Sequence, residues 1–552
     1  MEHSIALSYG ATFSVIAVLN KDSRPEIIAN EDGEHKIPTC LSFTETDDLA
    51  GTQALTNAVR HSINTITGFR NLIGLKFDAA EAARRQVPGW AKIVATESGH
   101  YGYSVEVQGQ QTVLSVDDVT TRFLRRVRES AEGYLGRSIS HVVLAVPQNF
   151  SAEQRTALAN ASAAAGLAVE QFINEPAAAC LGYGVAQESS RLTPNDKTIV
   201  VVDSGASTTA VSVVASRGGL LSVIASRSIE TFNGSILDEA LMKHFAAEFQ
   251  KKTGIDVAGN VRAQFKLRTG CEITKKTLSS IASAPCSVES LAEGMDLHSN
   301  VNRMRFDIMT SRLYTPLEEA IQSVVEEAGY KLAEIDQVLL AGGATRVPKV
   351  RSKIEDVFPE SVSVISPEVG ESDEVIASGC AIHLASIASA ALFNAGSAQK
   401  KKSAEIESAV SAPALAFPIG VVDATGKFIT LIPRATPLPA VRQFTMGSAA
   451  ESALVQIHEG ETVQVVIPPQ PKPEKKPAAE GDDSDDDDDD DEDEEKIETV
   501  TKAKKLLVEL AMTGLKGSEK KTVPLLVTVG VDAQSKVHVS MKTPNGTKII
   551  HN

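Results

Sequence analysis

Three short segments of this chain join an apolar lead-in to glycine and other small residues, the composition that lets backbone N–H groups close on phosphate oxygens. The first is Ile5-Ala6-Leu7-Ser8-Tyr9-Gly10-Ala11-Thr12; taken alone it reads more readily as a plain β-hairpin. The second, Val201-Val202-Asp203-Ser204-Gly205-Ala206-Ser207-Thr208, sets a carboxylate at a strand end beside a small-residue turn, with a solvated hairpin aspartate as the alternative. The third, Leu339-Leu340-Ala341-Gly342-Gly343-Ala344-Thr345-Arg346-Val347-Pro348, puts two glycines and a cation just beyond a buried strand; a helix-packing turn is the competing reading. Three such turns predict one cleft, and the chemistry they share is phosphate binding.

The elements that must position these turns alternate β-branched runs with amphipathic stretches over the first 390 residues, the pattern of an α/β layered fold. Val116, Val119, Phe123, Val127, Ala131 and Tyr134 recur at helical spacing after Ser115, a predicted N-cap, and the helix should stop near Gly136. A strand is expected over His141 to Val146. Pro147 ends it, and Ser151 opens a second helix with Gln154 three residues on, the spacing of a capping box. Strand, turn and strand follow at Thr198 to Val214, and a strand meets a glycine pair at Val338 to Gly343.

Composition changes after Phe393. Residues 394–412 are mostly Ala, Ser, Lys and Glu, predicting a linker or a frayed helix. Beyond it, Lys427 to Ile432, Leu454 to His458, Val463 to Ile467, Leu506 to Leu510, Leu525 to Val531 and Lys536 to Met541 are β-rich and separated by turn residues, predicting a small antiparallel β-sandwich. Pro468 to Val500 is proline-rich and then polyacidic, so it is expected to be a disordered loop within that sandwich. The expected domains are thus 1–393, a linker over 394–412, and 413–552 with an acidic insertion at 468–500. No helix-length pattern follows the strands before Asn552, so no helical lid is expected.

The acidic stretch also accounts for most of the charge. The net charge is −17, but 13 acidic residues lie between Gly481 and Glu495, which leaves −4 for everything else. No basic excess advertises nucleic acid. Five scattered cysteines (Cys40, Cys180, Cys271, Cys286, Cys380) lack CxxC spacing and fit a reducing compartment. The N-terminus has no basic region, and Ser8, Thr12 and Ser14 interrupt its apolar stretch, so neither a signal peptide nor a membrane span is expected and the reading is a cytoplasmic protein.

In this order, the three turns resemble the actin-like ATPase fold, and longer strings narrow the resemblance to the DnaK-type heat-shock chaperones. Those strings are Asn174-Glu175-Pro176-Ala177-Ala178-Ala179, Leu267-Arg268-Thr269-Gly270-Cys271-Glu272 with Lys275 and Leu278-Ser279-Ser280, and Gly342 to Lys349. Val455-Gln456-Ile457-His458-Glu459-Gly460-Glu461 resembles a segment of the same family's substrate-binding β domain. The resemblance implies ATP held between two lobes. Gly10, Ala11, Thr12, Phe13, Ala206, Ser207, Thr208 and Gly343 would line the phosphates. Glu272, Lys275, Lys276, Ser279 and Arg346 would hold the adenosine, with the Arg346 guanidinium stacked on the base. Arg70, Gly205, Gly234, Gly342, Ala344 and Asp373 would also contribute to nucleotide binding. Lys276 stands where the family usually has Arg.

The departures from the family bear on catalysis. Phosphoryl transfer to water needs a metal bridging the phosphates, a carboxylate that organises it, and a group that orients the attacking water. Ser8 stands where the family has Asp, Ala11 where it has Thr, and Ala210 where it has a second catalytic carboxylate. Arg70, within Asn64 to Gly74, replaces the catalytic Lys. Glu175 and Asp203 are retained, as is Pro147, which in the family belongs to the switch between nucleotide state and domain motion. The expectation is ATP binding with hydrolysis absent or very weak, magnesium weak or absent, no metal ligand assigned and no catalytic set intact.

The short apolar linker flanked by Asp that the family uses is not found between Ala385 and Leu415. Together with the absent lid, this resembles the atypical branch found in the fungal ribosome-associated complex, which pairs stably with the J-protein zuotin. The implied partners are a zuotin-like J-protein in a stable heterodimer, the ribosome, a catalytically active chaperone of the same family and nascent polypeptide; no membrane partner is implied. A functional ATP-hydrolysing chaperone with its own peptide-binding cycle is the alternative, supported by Asp203 and Glu175. A nucleotide-exchange factor of the larger lidded relatives would need a long helical C-terminus.

Overall fold

The computed structural model describes residues 3–185, 196–367, 371–395, 413–448, 451–467, 496–515 and 522–551, apart from residues 23, 46, 88 and 424. The chain divides into two compact units, Met1–Val410 and Ser411–Asn552.

The first unit repeats one sheet plan twice. In the first lobe the strand order is Pro25–Ile28, Phe13–Leu19, Ser4–Tyr9, His141–Val146, Ala168–Asn174. The second lobe runs Leu220–Ile229, Thr209–Arg217, Lys197–Ser204, Gln337–Ala341, Ser363–Ile365. In both, the central strand pairs antiparallel with the strand that follows it and parallel with a later one: Ala6 opposes Ala17 and lies beside Val143, and Asp203 opposes Ala210 and lies beside Ala341. The hairpin turn of each sheet is one of the small-residue turns singled out above, so the fold points both turns from equivalent strand ends. The central strands are almost continuously apolar because helices cover both faces of each sheet.

The predicted helix forms over Val116–Leu135; the Ser115 hydroxyl accepts from the Asp118 N–H, and Gly136 in the left-handed region ends it. The capping box of Ser151 and Gln154 opens Ala152–Ala164 as its spacing requires. Each lobe has its own buried cluster, one around Leu7, Phe123 and Leu144, the other around Val202, Phe245 and Leu340. A third cluster joins Ala6 and Val143 of one sheet to Val201 and Leu339 of the other through the helices Glu175–Gly182 and Val375–Ala395. These two helices touch backbone to backbone: a Cβ on Gly379 would lie 1.7 Å from the Ala178 carbonyl oxygen. Residues 394–395 complete the second of these helices; the rest of the expected linker, 396–412, lies outside the described residues.

The second unit holds two four-stranded antiparallel sheets. One orders Phe428–Ile432, Ile419–Val422, Ser452–Ile467 and Lys496–Thr513; the other Ala440–Ser448, Val523–Val531, Val537–Lys542 and Lys548–His551. Ile432, Ile457 and Leu510 of the first share a buried cluster with Leu525, Val527 and Met541 of the second. The two short strands expected at Leu454 to His458 and Val463 to Ile467 are parts of one long strand. Residues 496–500, assigned by composition to the acidic loop, are also strand, with Ile467 opposite Lys496 and Val463 opposite Val500. The β-branched residues of Ile497-Glu498-Thr499-Val500-Thr501 outweigh the neighbouring acidic run. Residues 468–495 lie outside the described residues. Among the described residues, no helix is long and apolar enough to cross a membrane.

Candidate nucleotide site

All the site residues predicted from sequence line one cavity of about 570 Å³ between the lobes, within the range of small-ligand sites. The Gly10–Phe13 and Gly205–Thr208 turns face it from the two hairpins, and Ser8, Asp203 and Ala210 face it from the strands beside them. The first turn is tied to the next strand, because the Thr39 hydroxyl donates to the Gly10 carbonyl (2.9 Å) and the Thr39 N–H to that of Thr12 (2.8 Å). In the second, the Gly205 N–H donates to the Thr208 carbonyl. The third turn requires its first glycine. Gly342 has φ 79°, and a Cβ there would lie 2.3 Å from the Ser204 carbonyl oxygen and 2.6 Å from Asp203 Oδ1.

At this end of the cavity the charges are already engaged. Arg70 and Glu175 are 7% and 9% exposed. Arg70 Nη1 donates to the Tyr9 carbonyl at 2.9 Å and lies 3.1 Å from Glu175 Oε1. Its guanidinium carbon sits 5.7 Å from the centre of the Phe150 ring, and its Nε is buried without a hydrogen-bond partner. Burial, with the Glu175 charge added, pushes the Asp203 carboxyl up to about 7, while Arg70 pulls it the other way.

Another wall is built from the helices Gly234–Thr253 and Val261–Ser280. Lys275 Nζ bonds Asp238 Oδ2 at 2.7 Å and the Gly234 carbonyl at 2.9 Å. Burial pushes Asp238 up to about 6 against the pull of Lys275. The first helix gives no free N–H groups to the cavity, since Gly234, Ser235 and Ile236 donate to Gly205, Ala206 and the Asn233 side chain. Lys276 is 2.8 Å from Glu272 and lies 5.8 Å from the Phe13 ring centre; the Ser279 hydroxyl donates to the Lys275 carbonyl. Arg346 Nη1 is 2.6 Å from Glu371 Oε2.

The charged lining residues Lys36, Arg85 and Glu230, and the amide of Gln148, are among those that escaped sequence reasoning. Lys36 Nζ stands 2.5 Å from both Glu371 and Asp373, more than 330 residues away, and no local pattern announces such a pair. The second Asp373 oxygen is buried without a partner.

A nucleotide fits this donor set. The cations Arg70, Lys36, Lys275 and Arg346 all reach the cavity, its volume is adequate, and the unpartnered Arg70 Nε and Asp373 Oδ1 are polar atoms that a ligand or water would satisfy. Of the two carboxylates near Arg70, Glu175 is paired with it, and burial raises the Asp203 carboxyl.

The family model described as Hsp70 protein matches residues 4–465. The chain is 35% identical over 477 residues to the ribosome-associated complex subunit SSZ1 of Saccharomyces cerevisiae, covering 85% of this chain and 86% of that one. It is 35% identical over 481 residues to a heat shock protein 70 homolog of Schizosaccharomyces pombe, covering 85% and 82%. Heat shock 70 kDa protein 14 of Bos taurus is 32% identical over 467 residues, covering 83% and 87%.

Proposed function

This chain belongs to the Hsp70 family, and from that premise we propose that it binds ATP as a lasting structural ligand, with little or no hydrolysis. The carrying observation is that one cavity keeps the three turns and the cations of a nucleotide site while Ser8 and Ala210 face it without carboxylates. The Glu272–Ser279 face and Arg346 would hold adenosine; the Gly10–Phe13 and Gly205–Thr208 turns, Gly343 and Arg70 would receive the phosphates. Bound magnesium would supply charge to the phosphates; in this chain Arg70 is the cation assigned to them, and magnesium is read as weak or absent. Arg70 cannot act as a base, because a guanidinium keeps its proton at any working pH.

A subunit that does not cycle works through a partner. The relative in Saccharomyces cerevisiae is named as a ribosome-associated complex subunit, which supports a ribosome-bound role in the cytoplasm. Our reading is a stable heterodimer with a zuotin-like J-protein that stimulates a separate, catalytically complete chaperone of the family during folding of nascent chains. The second unit acts as a β-sandwich, and its edge strands Phe428–Ile432 and Ala440–Ser448 are where an extended partner segment would add a strand. Co-purification from extract at high salt tests this. The pair should survive, whereas recovery of a free monomer away from ribosomes and J-protein would overturn it.

A hydrolysing chaperone is the second reading, favoured by Asp203, Glu175 and Pro147, all of which line the cavity. Single-turnover hydrolysis at the rate of an ordinary family member would establish it instead.

A further inference from the structure

Beside the nucleotide cavity lies a larger space of about 1010 Å³ that shares with it the Ala11–Phe13 and Ala206–Thr208 segments, Glu272 and Lys275. Contacts between the lobes border this space. In the first lobe, the helix Ala79–Arg85, which buries Ala82 in that lobe's core, carries Arg84 and Arg85. In the second, Glu230 lies between Ile229 and Phe232, both packed in that lobe's core. Arg84 Nη1 donates to Glu230 Oε2 at 2.6 Å and Arg85 Nη2 to Glu230 Oε1 at 2.9 Å, so each carboxylate oxygen takes one arginine from the other lobe. Glu81, one turn back on the helix, holds both arginines from behind at 2.5–2.8 Å. Hydrogen bonds from Arg84, with those of Arg85, keep its carboxyl down at about 2. Nearby, Trp90 of the first lobe meets Phe265 of the second at a ring-centre distance of 5.6 Å.

We infer that Glu230 is a positioning residue: with Arg84, Arg85 and the Trp90–Phe265 contact, it clasps the lobes over the nucleotide and sets how fast the nucleotide leaves. The inference deepens the nucleotide-binding reading and rests on it. Two observations point to a clasp rather than ordinary surface pairing. Glu230 and Arg85 line both spaces, so a ligand passing between them moves under this carboxylate. The pairs also form a network held from both sides, whereas isolated exposed pairs contribute little. Because the arginines are partly exposed, salt weakens the clasp.

The test uses the full chain loaded with N-methylanthraniloyl-ATP and chased with excess ATP in a stopped-flow instrument, at about 50 mM and about 500 mM salt, the range over which screening changes most. Glu230→Gln should speed release roughly three- to tenfold at low salt, as expected for a bidentate charged pair, and should remove most of the salt dependence. Glu230→Asp should fall between it and the wild type. Phe265→Ala should speed release with the salt dependence intact. Trp90 is the chain's single tryptophan, so acrylamide quenching reports closure without any nucleotide, and it should increase in both Glu230→Gln and Phe265→Ala. Release rates and quenching equal to wild type in Glu230→Gln would overturn the clasp. If the wild type retained no analogue while quenching still rose in Glu230→Gln, the clasp between lobes would stand; its role in release and the nucleotide reading would both fall.

Discussion

Ser8 and Asp203 occupy the same place in the two lobes: each is the next-to-last residue of its sheet's central strand, immediately before the small-residue turn. One position carries a hydroxyl and the other a carboxylate, so the two lobes present unlike groups to the cavity from equivalent positions. Ala210, opposite Asp203 in the hairpin, faces the same cavity and lacks a carboxylate too. Ser8→Asp with Ala210→Asp should give at most slow single-turnover hydrolysis, and adding Arg70→Lys should raise it further. Acid-quench time courses of the double and triple variants measure this; a double variant as fast as the triple would show that Arg70 imposes no limit.

The Arg70–Glu175 pair is buried, so removing one partner strands the other charge. Arg70→Ala should lower unfolding stability by about 3–5 kcal/mol, as for broken buried pairs, with Arg70→Lys costing less. Urea denaturation followed by circular dichroism decides it, and a loss under about 1 kcal/mol would mean that the site relaxes around Glu175.

Asp203 predicts a pH dependence. Its folded value near 7 lies above the usual carboxylate range, so the folded state holds this proton more tightly than the unfolded chain does. The cost of ionising it is absent at about pH 4, grows as pH rises towards 7 and is complete above that. Asp203→Asn should therefore stabilise the nucleotide-free protein at pH 8, by on the order of 1 kcal/mol or more, with the gain fading towards pH 4. A gain that did not change with pH would contradict the titration.

How far the sequence reveals this molecule depends on whether the deciding interaction is local. The cap at Ser115, the box of Ser151 and Gln154 and the strand His141–Val146 follow from spacing over a few residues, and the structure forms them where the spacing puts them. The three turns were legible only together and in order, because each alone reads as well as a hairpin or a packing turn. The Lys36–Glu371 and Arg84–Glu230 contacts were not, because they join residues 335 and 146 positions apart whose local surroundings look like solvated surface. The strand at Lys496–Val500 was missed for another reason: an adjacent run of charge dominated the composition of the window.

Gly379 is a silent position of the same kind, an ordinary glycine in an apolar helix by sequence. Its hydrogen takes the space where a Cβ would meet the Ala178 carbonyl at 1.7 Å. Gly379→Ala should force apart the two helices that join the lobes and cost about 1–3 kcal/mol, as overpacking does. A thermal melt unchanged from wild type would show that the helices slide freely.

The strand ends Ile467 and Lys496 are paired neighbours, so residues 468–495 can be replaced by an Asn-Gly turn. Shortening the closed loop should leave unfolding of the second unit cooperative and stabilise it by up to about 2 kcal/mol. Loss of cooperativity would give the acidic segment a structural role.

The most direct test of the central claim is to load the purified full chain with radiolabelled ATP, remove the excess, and follow the bound nucleotide by acid quench and chromatography over hours. The account predicts that the label stays bound and stays ATP, with or without a chelator of magnesium. Conversion to ADP at the rate of an ordinary family member, dependent on magnesium and abolished by Asp203→Ala, would contradict it.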